Sequence, residues 1–456
     1  MLGKHNRHEC VCPPALRQIC WLKVRFEGLC MSVRSVIVIG AGAAGLAAAE
    51  RLVFEGLEVT VLEASGRVGG RVRHLEGFAD FNIELGAEEV HGLENCLVPL
   101  VGATGADLIR HETARDYIRY DGKLVSLAEA RAGEDLREAF DFIAQMSNFS
   151  GPAWTVEQCL VARHMPGRAW HYLDSRLGVE HGTTLDRLGM RGFAGYEPNW
   201  QSREENYTVR QPYMRLLDPL LDQVRDRIRF GAAVARIEWG GPQALVGLAG
   251  GGELRADAVI YTGSVALLRE APPEFCPVLP AEKHEAIASI GMDGGMKMVL
   301  KFDRRFWPED MYFLHADTFW PQFWTPGKGR GGRAHVLTTF VSGARADFLR
   351  QLEVDRVEFA LGELDRIFGG RIASESCLDA HVADWTAEPF VRGLYSFPLA
   401  HTEPRHREAL AASLGRRLFF AGEATDLGGN SGTVHGAIDS GRRAADEVKT
   451  SLTLAS

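Results

Sequence analysis

Apolar and polar positions change their period several times along the chain, and each change marks an element. Val36 to Ile39 is a short β-branched run, the pattern of a strand buried on both faces of a parallel sheet. Ala43 to Leu52 is rich in alanine and leucine without proline, which predicts a tightly packed helix. Val59 to Leu62 supplies a second strand, so residues 35–63 predict a βαβ unit. Phe81 to Gly86 alternates as a strand does and runs into a polar loop, Ala87-Glu-Glu-Val-His-Gly92. From about Leu124 to Leu221 helical spacing takes over, with helices over Ala128 to Met146 and Pro219 to Val224 and breaks at Gly151-Pro152 and Pro166-Gly167. Strands return at Phe230 to Trp239, Ala244 to Leu248 and Ala256 to Tyr261. Lys283 to Ile290 predicts a helix leading into Gly294 to Phe302, whose alternation sets Lys297 and Lys301 opposite Met298 and Leu300. Residues 307–335, with Trp307, Trp320, Trp324 and several glycines, read as loops with aromatic anchors. Glu353 to Phe368 has a helical period and is closed by Gly369-Gly370. A last strand, Leu418 to Ala421, precedes a helix that starts near Thr433.

Gly40-Ala-Gly42-Ala-Ala-Gly45 joins the first strand to its helix, and here the pattern points to chemistry. Gly40 permits the tight turn, Gly42 lets the backbone approach a pyrophosphate, and Gly45 lets helix and sheet pack closely. Glu63, 18 positions past Gly45, closes the second strand, where a carboxylate accepts hydrogen bonds from a ribose diol. A glycine-rich turn alone is a weak signal. With strand, helix, strand and acid all in place it predicts a dinucleotide site. The next loop, Ala64-Ser-Gly-Arg67-Val-Gly69-Gly70-Arg71, combines open backbone N–H groups with two guanidinium forks, a set suited to phosphate, although solvated arginines on a surface turn read the same way. Near the end, Gly422-Glu423 follows a strand, and the helix from Thr433 aims its positive dipole end at whatever lies beyond, such as a ring that gains negative charge on reduction.

Length and charge narrow the class. At 456 residues the chain is too long for one simple core and is expected to hold two domains. A net charge of −9 argues against nucleic acid as the main partner and fits a cationic small substrate, as it fits mere solubility. No uninterrupted apolar stretch reaches the length of a membrane span. Residues 1–31 stand apart: the first thirty carry five Lys/Arg against two Glu, which leaves the remainder at −12. Their Cys10, Cys12, Cys20 and Cys30 have spacings of 2, 8 and 10, which miss the paired C-x-x-C pattern of zinc sites, so no metal is expected. No apolar core with a cleavage motif marks a secretory signal, and with Met31 just before the first strand the segment is expected to be a disordered leader. Cys96, Cys159, Cys276 and Cys377 are scattered, which suggests reduced thiols and a cytoplasmic location.

Together these residues resemble the flavin-dependent amine oxidase family, which includes monoamine oxidases, polyamine oxidases and the lysine-specific histone demethylases. The resemblance runs from about Ser35 to Val448, weakest between 125 and 205, and rests on five blocks in the family's order. These are Gly40 to Gly45 with Glu63; Arg67-Val-Gly-Gly-Arg71; Gly86-Ala-Glu-Glu-Val-His-Gly92; Lys297-Met-Val-Leu-Lys-Phe302; and Phe420-Ala-Gly-Glu-Ala-Thr425 with Gly432-Thr-Val-His-Gly-Ala437. It implies an α/β protein with a Rossmann-like FAD-binding domain, discontinuous in sequence (32–110, 222–285 and 396–456), and an α+β substrate domain (111–221 and 286–395). By the same resemblance Glu63 holds the adenosine ribose, and Arg67, Gly70 and Arg71 surround the pyrophosphate. Val234 contacts adenine through its backbone, Gly86, Ala87 and Glu88 line the cofactor, and Gly422 and Glu423 meet its ribityl–phosphate region. The amides of Thr433 and Val434 face the flavin's pyrimidine end, and Trp385 packs on the isoalloxazine. Lys297 matches the lysine that holds a water against the reactive flavin nitrogen, N(5); an exposed strand lysine is the plain alternative. Tyr395 forms one wall of a substrate cage. His91 aligns with the histidine or glutamate that polyamine oxidases turn toward the substrate amine, against the alternative of a solvated loop histidine.

Departures from the pattern refine the expectation. Leu394 stands where monoamine oxidases carry the cysteine bonded to the flavin, so FAD is expected to be non-covalent. Thr433 replaces their second cage tyrosine, as in the polyamine oxidase and demethylase branch, while Asn430 and Glu89 depart from the usual aromatic residues and leave the substrate open. The expected reaction is hydride transfer from a small-molecule amine to FAD, giving an imine that hydrolyses, with O2 reoxidising the flavin to yield H2O2. Amino-acid oxidases clamp the substrate carboxylate with a fixed cation. The loop after Ala87 offers Glu88, Glu89 and His91 but no arginine, so an amine is expected rather than an amino acid. The alternatives are a desaturase, porphyrinogen oxidase or L-amino-acid oxidase of the same architecture, or an FAD-binding module whose chemistry has decayed.

Overall fold

In a computed structural model, which describes residues 34–111, 115–120, 122–195, 206–352 and 355–453, five distant segments line up in one parallel sheet. β1 (Ser35–Ile39) pairs on one side with β2 (Glu58–Leu62), which continues to Ile228–Arg229. On its other side come Ala258–Tyr261 and then Leu418–Phe420. Val36, Ile37 and Val38 are buried, as a strand covered on both faces requires. Between β1 and β2 runs α1 (Ala43–Phe54), and the helix Val434–Thr453 lies along it. Small residues make that approach possible: a Cβ on Gly441 would overlap the Ala44 carbonyl. Ion pairs Arg51–Asp446 (2.8 Å) and Lys449–Glu55 (2.6 Å) clip the two helices together.

A four-stranded sheet (Glu253–Ala256, Ala244–Leu248, Val234–Glu238, Glu274–Cys276) follows the third parallel strand. A larger, seven-stranded sheet has Gly295–Phe302 between Cys377–Asp384 and His335–Ser342, and continues through Gln322–Trp324, Met311–His315, Arg115–Tyr120 and Lys123–Ser126. In Gly295–Phe302 the alternation holds. Met296, Met298, Leu300 and Phe302 enter an apolar core with Trp320 and Phe323, which turns Lys297 and Lys301 to the other face.

Several elements differ from the sequence pattern. Residues 307–335 contain two strands, Met311–His315 and Gln322–Trp324, rather than loops alone. Both are buried along nearly their whole length, so they lack the alternation that marks a half-exposed strand. Ala128 to Met146 is two helices, Leu127–Ala130 and Glu134–Gln145. Ser126 and Glu129 form a capping box on the first, and Gly133 caps the second, so the break is built locally. Ala256 to Tyr261 splits at Asp257 between two sheets, where the Asp257 carboxylate accepts the Ser35 N–H at 2.9 Å. Glu89–His91 is paired with Asn206–Val209 rather than left as a loop. The helix expected from Glu353 is described over Arg356–Phe368; its first two expected residues and the leader 1–31 lie outside the described residues. Among the described residues no helix is long and apolar enough to cross a membrane.

The Gly441 contact gives a direct stability test. Gly441→Ala forces two helix backbones apart, and overpacking of this kind costs about 1–3 kcal/mol. The expected result is a lower urea midpoint with an unchanged slope; a wild-type midpoint would show that the helices are not in backbone contact.

Candidate active site

The two glycine loops touch. Gly69 N–H donates to the Ala41 carbonyl at 2.9 Å, and a Cβ on Gly70 would stand 3.3 Å from Gly42 Cα. A Cβ on Gly45 would overlap the Gly40 carbonyl, so only glycine lets α1 leave the strand this closely. Gly42 stands just before α1 and no side chain caps the helix, which leaves its first-turn N–H groups and dipole for an anion. Buried Glu63 holds this end of the sheet. Its Oε2 accepts the Ala41 N–H at 2.7 Å, and its Oε1 accepts the Ser65 N–H and hydroxyl at 2.8 and 2.7 Å. A carboxylate oxygen accepts two hydrogen bonds, so Oε2 keeps one position for a ribose hydroxyl. The Ala232 N–H donates to the Glu63 carbonyl at 2.9 Å, which brings the strand opened by Val234 to the same edge.

Arg71 ties this cradle to the rest of the site. Its Nη1 donates to the Leu394 carbonyl at 2.8 Å and to Glu423 Oε1 at 2.7 Å, while its Nε and Nη2 make no hydrogen bond among the described residues and remain available to phosphate. Glu423 also accepts from the Ser396 N–H and hydroxyl and from the Gly432 N–H (2.9 Å). Burial pushes its carboxyl up, but Arg71 and Ser396 outweigh that and hold it below the usual carboxylate range. With the lone pairs of its carboxylate filled from within the chain, the Glu423 side chain is a post for Arg71 and Gly432. Beyond Gly432, Thr433 Oγ1 accepts the Gly436 N–H at 3.0 Å and caps the C-terminal helix that Val434 opens, so its hydroxyl is spent on the helix. Arg67 is half-buried with Nη1 on the Val68 carbonyl, and burial lowers its pKa.

The Arg71 carbonyl accepts the Ala87 N–H, which leads from the cradle to Lys297. Lys297 is 5% exposed; its Nζ lies 2.8 Å from Glu88 Oε2, 3.4 Å from the Gly86 carbonyl and 5.1 Å from the Trp324 ring centre. Glu88 also accepts from Trp324 Nε1 and Arg330 Nη1, each at 3.3 Å. Arg330, buried in turn, donates to the carbonyls of Val209, Asn82 and Pro326. Burial raises the Glu88 carboxyl, yet the Lys297 and Arg330 charges win and hold it below its ordinary value. Glu88, expected as a cofactor-lining residue and one of the acidic groups open to a substrate, is therefore committed to an internal ion pair. Trp385 is buried against Gly86 with Nε1 on the Leu85 carbonyl (2.9 Å). Tyr395 donates its hydroxyl to the Val179 carbonyl at 2.9 Å and packs its ring on Gly182 and Gly432.

Glu89 and His91 share one partner: Asn206 Nδ2 donates to Glu89 Oε2 at 3.0 Å, and Asn206 Oδ1 meets His91 Nδ1 at 2.9 Å. Burial, then the Glu88 charge, pushes the Glu89 carboxyl up to about 7. The His91 ring centre is 6.1 Å from that of His435. Hydrogen bonds thus join the two glycine loops, Arg71, Ala87, Lys297, Glu88 and Glu423, while Glu89 and His91 meet at Asn206; sequence reasoning missed Asn206, Trp324, Arg330 and Glu84. The one signal for Arg330 was a lone arginine inside the glycine-rich stretch 327–332.

A parallel sheet crossed by two facing glycine loops, with a buried acid at the end of β2, defines a dinucleotide-binding architecture. Known proteins specify it further. A family profile described as flavin containing amine oxidoreductase matches residues 43–449. Polyamine oxidase 4 of Oryza sativa subsp. japonica is 28% identical over 94% of this chain and 91% of its own length. Lysine-specific histone demethylase 1 homolog 2 of the same organism is 28% identical over 91% of this chain, which spans only 57% of that relative. Among solved structures, cyclohexylamine oxidase from Brevibacterium oxydans IH-35A superposes with a TM-score of 0.80 at 20% identity, over 92% of this chain and 100% of its own. Wild-type putrescine oxidase bound to putrescine gives 0.78 at 21% identity, over 91% and 99%. The chain belongs to the family of flavin-containing amine oxidoreductases, and FAD is its cofactor.

Glu84 provides a pH test of this region. It is fully buried, its Oε2 has no hydrogen-bond partner among the described residues, and burial pushes its carboxyl up from 4.5 to about 7. The native chain therefore binds this proton more tightly than the unfolded one, and the stability so gained, complete below the unfolded value, is lost as pH rises through about 7. Between about pH 5 and about pH 7.5 the urea midpoint of wild type is expected to fall more steeply than that of Glu84→Gln. Parallel curves would contradict the assignment.

Proposed function

We propose that this chain is an oxidase of a C–N bond in a small or poly-cationic amine. When bound, FAD supplies the hydride acceptor and the route by which O2 is reduced to H2O2, and the resulting imine hydrolyses to an aldehyde or ketone. The observation that carries this reading is the buried Lys297 ammonium, placed on the same wall as Trp385 and reached from the glycine loops through Arg71 and Ala87. Lys297 holds a water at the reacting end of the flavin. Gly40, Gly42, Gly45, Arg67, Gly70 and Arg71 take the pyrophosphate, Glu63 the ribose, Val234 the adenine edge, and Thr433 with Val434 the pyrimidine end of the ring. Trp385 packs on the isoalloxazine, Tyr395 walls the substrate cage and aligns the amine, and His91 with Glu89 faces the amine's far side.

The substrate class follows from charge. Glu88 is taken by Lys297, which leaves Glu89 and His91, linked by Asn206, as the other polar groups of the 86–92 loop. Arg330 is a buried arginine close by; its Nε and Nη1 are spent on carbonyls and Glu88, and its Nη2, without a hydrogen-bond partner among the described residues, belongs to a side chain that is 0% exposed and so closed off from a substrate carboxylate. An amine fits such a site and an α-amino acid does not. The names of the relatives, polyamine oxidase, putrescine oxidase and cyclohexylamine oxidase, agree with an amine. The FAD domain comprises 32–110, 222–285 and 396–456 and the substrate domain the rest from residue 111. The enzyme acts in the cytoplasm without a nucleic-acid partner.

Two outcomes test this. Leu394, buried at the position of the bonding cysteine, makes the cofactor non-covalent, so acid precipitation is expected to release FAD into the supernatant; flavin in the pellet would refute it. Lys297→Met keeps the side chain's length and removes the ammonium. Flavin reduction or reoxidation in stopped flow is expected to slow more than about tenfold, roughly 1.4 kcal/mol of transition-state stabilisation or more. Wild-type rates in both half-reactions would return Lys297 to a structural role.

A further inference from the structure

Lys297 is not the isolated lysine that its sequence block suggests. An ammonium has three donors. In Lys297 one meets Glu88 at 2.8 Å and one the Gly86 carbonyl at 3.4 Å, and the third has no acceptor among the described residues. Glu88 is itself immobilised: one oxygen takes Lys297 and Trp324 Nε1, the other Arg330 Nη1, and Arg330 is fixed by three backbone carbonyls. The side chains of Lys297, Glu88 and Arg330 are 6%, 9% and 0% exposed. Glu89, the neighbouring carboxyl, is bonded instead to Asn206. A buried ion pair adds little stability over apolar packing of the same volume, so a trio of two cations and one anion at this depth points to chemistry rather than to scaffolding.

We propose that Glu88 is a positioning residue for Lys297: it fixes the ammonium so that a single N–H stays open toward the site, and it sets the local charge there. This deepens the reading of Lys297 given above and rests on it. Glu88 touches neither substrate nor cofactor in this role. It acts by holding one of the lysine's three donors, beside the one on the Gly86 carbonyl, and by reducing a double positive charge to a single one, with Arg330 as the fixed anchor that keeps the carboxylate from following the ammonium.

The test uses the FAD-loaded enzyme and two readouts, the flavin midpoint potential and the rate of anaerobic reduction by an amine that turns over. Lys297→Met removes a positive charge and lowers the potential; Glu88→Gln removes the negative one and raises it. Each is expected to change the reduced-to-oxidised ratio about threefold to tenfold, ~15–30 mV for a two-electron couple. Both variants are slower than wild type, although their potentials move in opposite directions. In the double variant, reduction is no more than about twofold slower than in Lys297→Met alone, because Glu88 acts through the lysine. If Glu88→Gln slows the reaction as much in the Lys297→Met background as in wild type, or leaves the potential fixed where Lys297→Met shifts it, the positioning role is wrong while the reading of Lys297 stands. If Lys297→Met changes neither readout, that reading falls and takes the proposal with it. Should Glu88→Gln not load FAD, Glu88→Asp withdraws the carboxylate by one methylene and keeps its charge. Slower reduction at a near wild-type potential supports the role, and a wild-type rate overturns it.

Discussion

A lysine ammonium buried in the middle of a sheet needs a counter-charge, and much of this fold is arranged so that Lys297 has one. At the protein surface an ion pair contributes about 0–1 kcal/mol, but removing one partner of a buried pair costs about 3–5 kcal/mol. Lys297 and Glu88 are in the second regime. The strand Gly295–Phe302 fixes the lysine by alternation, because its other face is filled with Met296, Met298, Leu300 and Phe302. Glu88 then has to be delivered from a segment 209 positions away, and the loop that carries it is pinned through the Ala87 N–H to the Arg71 carbonyl.

Arg71 is consequently a joint between the nucleotide cradle and the reacting end of the site. Its carbonyl holds the loop bearing Glu88, its Nη1 holds the Leu394 carbonyl and Glu423, and Glu423 holds the Gly432 N–H just before the helix cap at Thr433. One guanidinium therefore relates the phosphate loops, the residues beside Tyr395 and the start of the C-terminal helix. The facing glycine loops allow a pyrophosphate to lie against backbone, while the buried carboxylates Glu63 and Glu423 order the loops from behind. In this sense the cofactor site and the site of chemistry are a single network.

The cradle was legible because it is local. Strand, glycine turn, helix, strand and Glu63 fall within residues 35–63, and each has a physical reason readable from its own neighbours. Lys297 was visible as a strand lysine on a polar face, but its importance came from resemblance and not from periodicity. Its partners were not legible at all, since Glu88, Trp324 and Arg330 meet only after chain reversals of more than two hundred residues. The strands at Met311–His315 and Gln322–Trp324 were missed for a related reason: burial on both faces erases the alternation, and tryptophans beside glycines look like loop anchors. Thr433 shows the local kind of signal again: the helix start read near it is where its hydroxyl caps the twenty-residue helix.

The central claim is that this network removes a hydride from carbon beside an amine nitrogen. The measurement that reaches it most directly is anaerobic mixing of the yellow holoprotein with a panel of mono-, di- and polyamines and of L-amino acids, following the flavin absorbance. Bleaching by at least one amine, with the L-amino acids inert, is the result the account predicts. Absorbance that persists with every amine, or that is lost only with an L-amino acid, would contradict it.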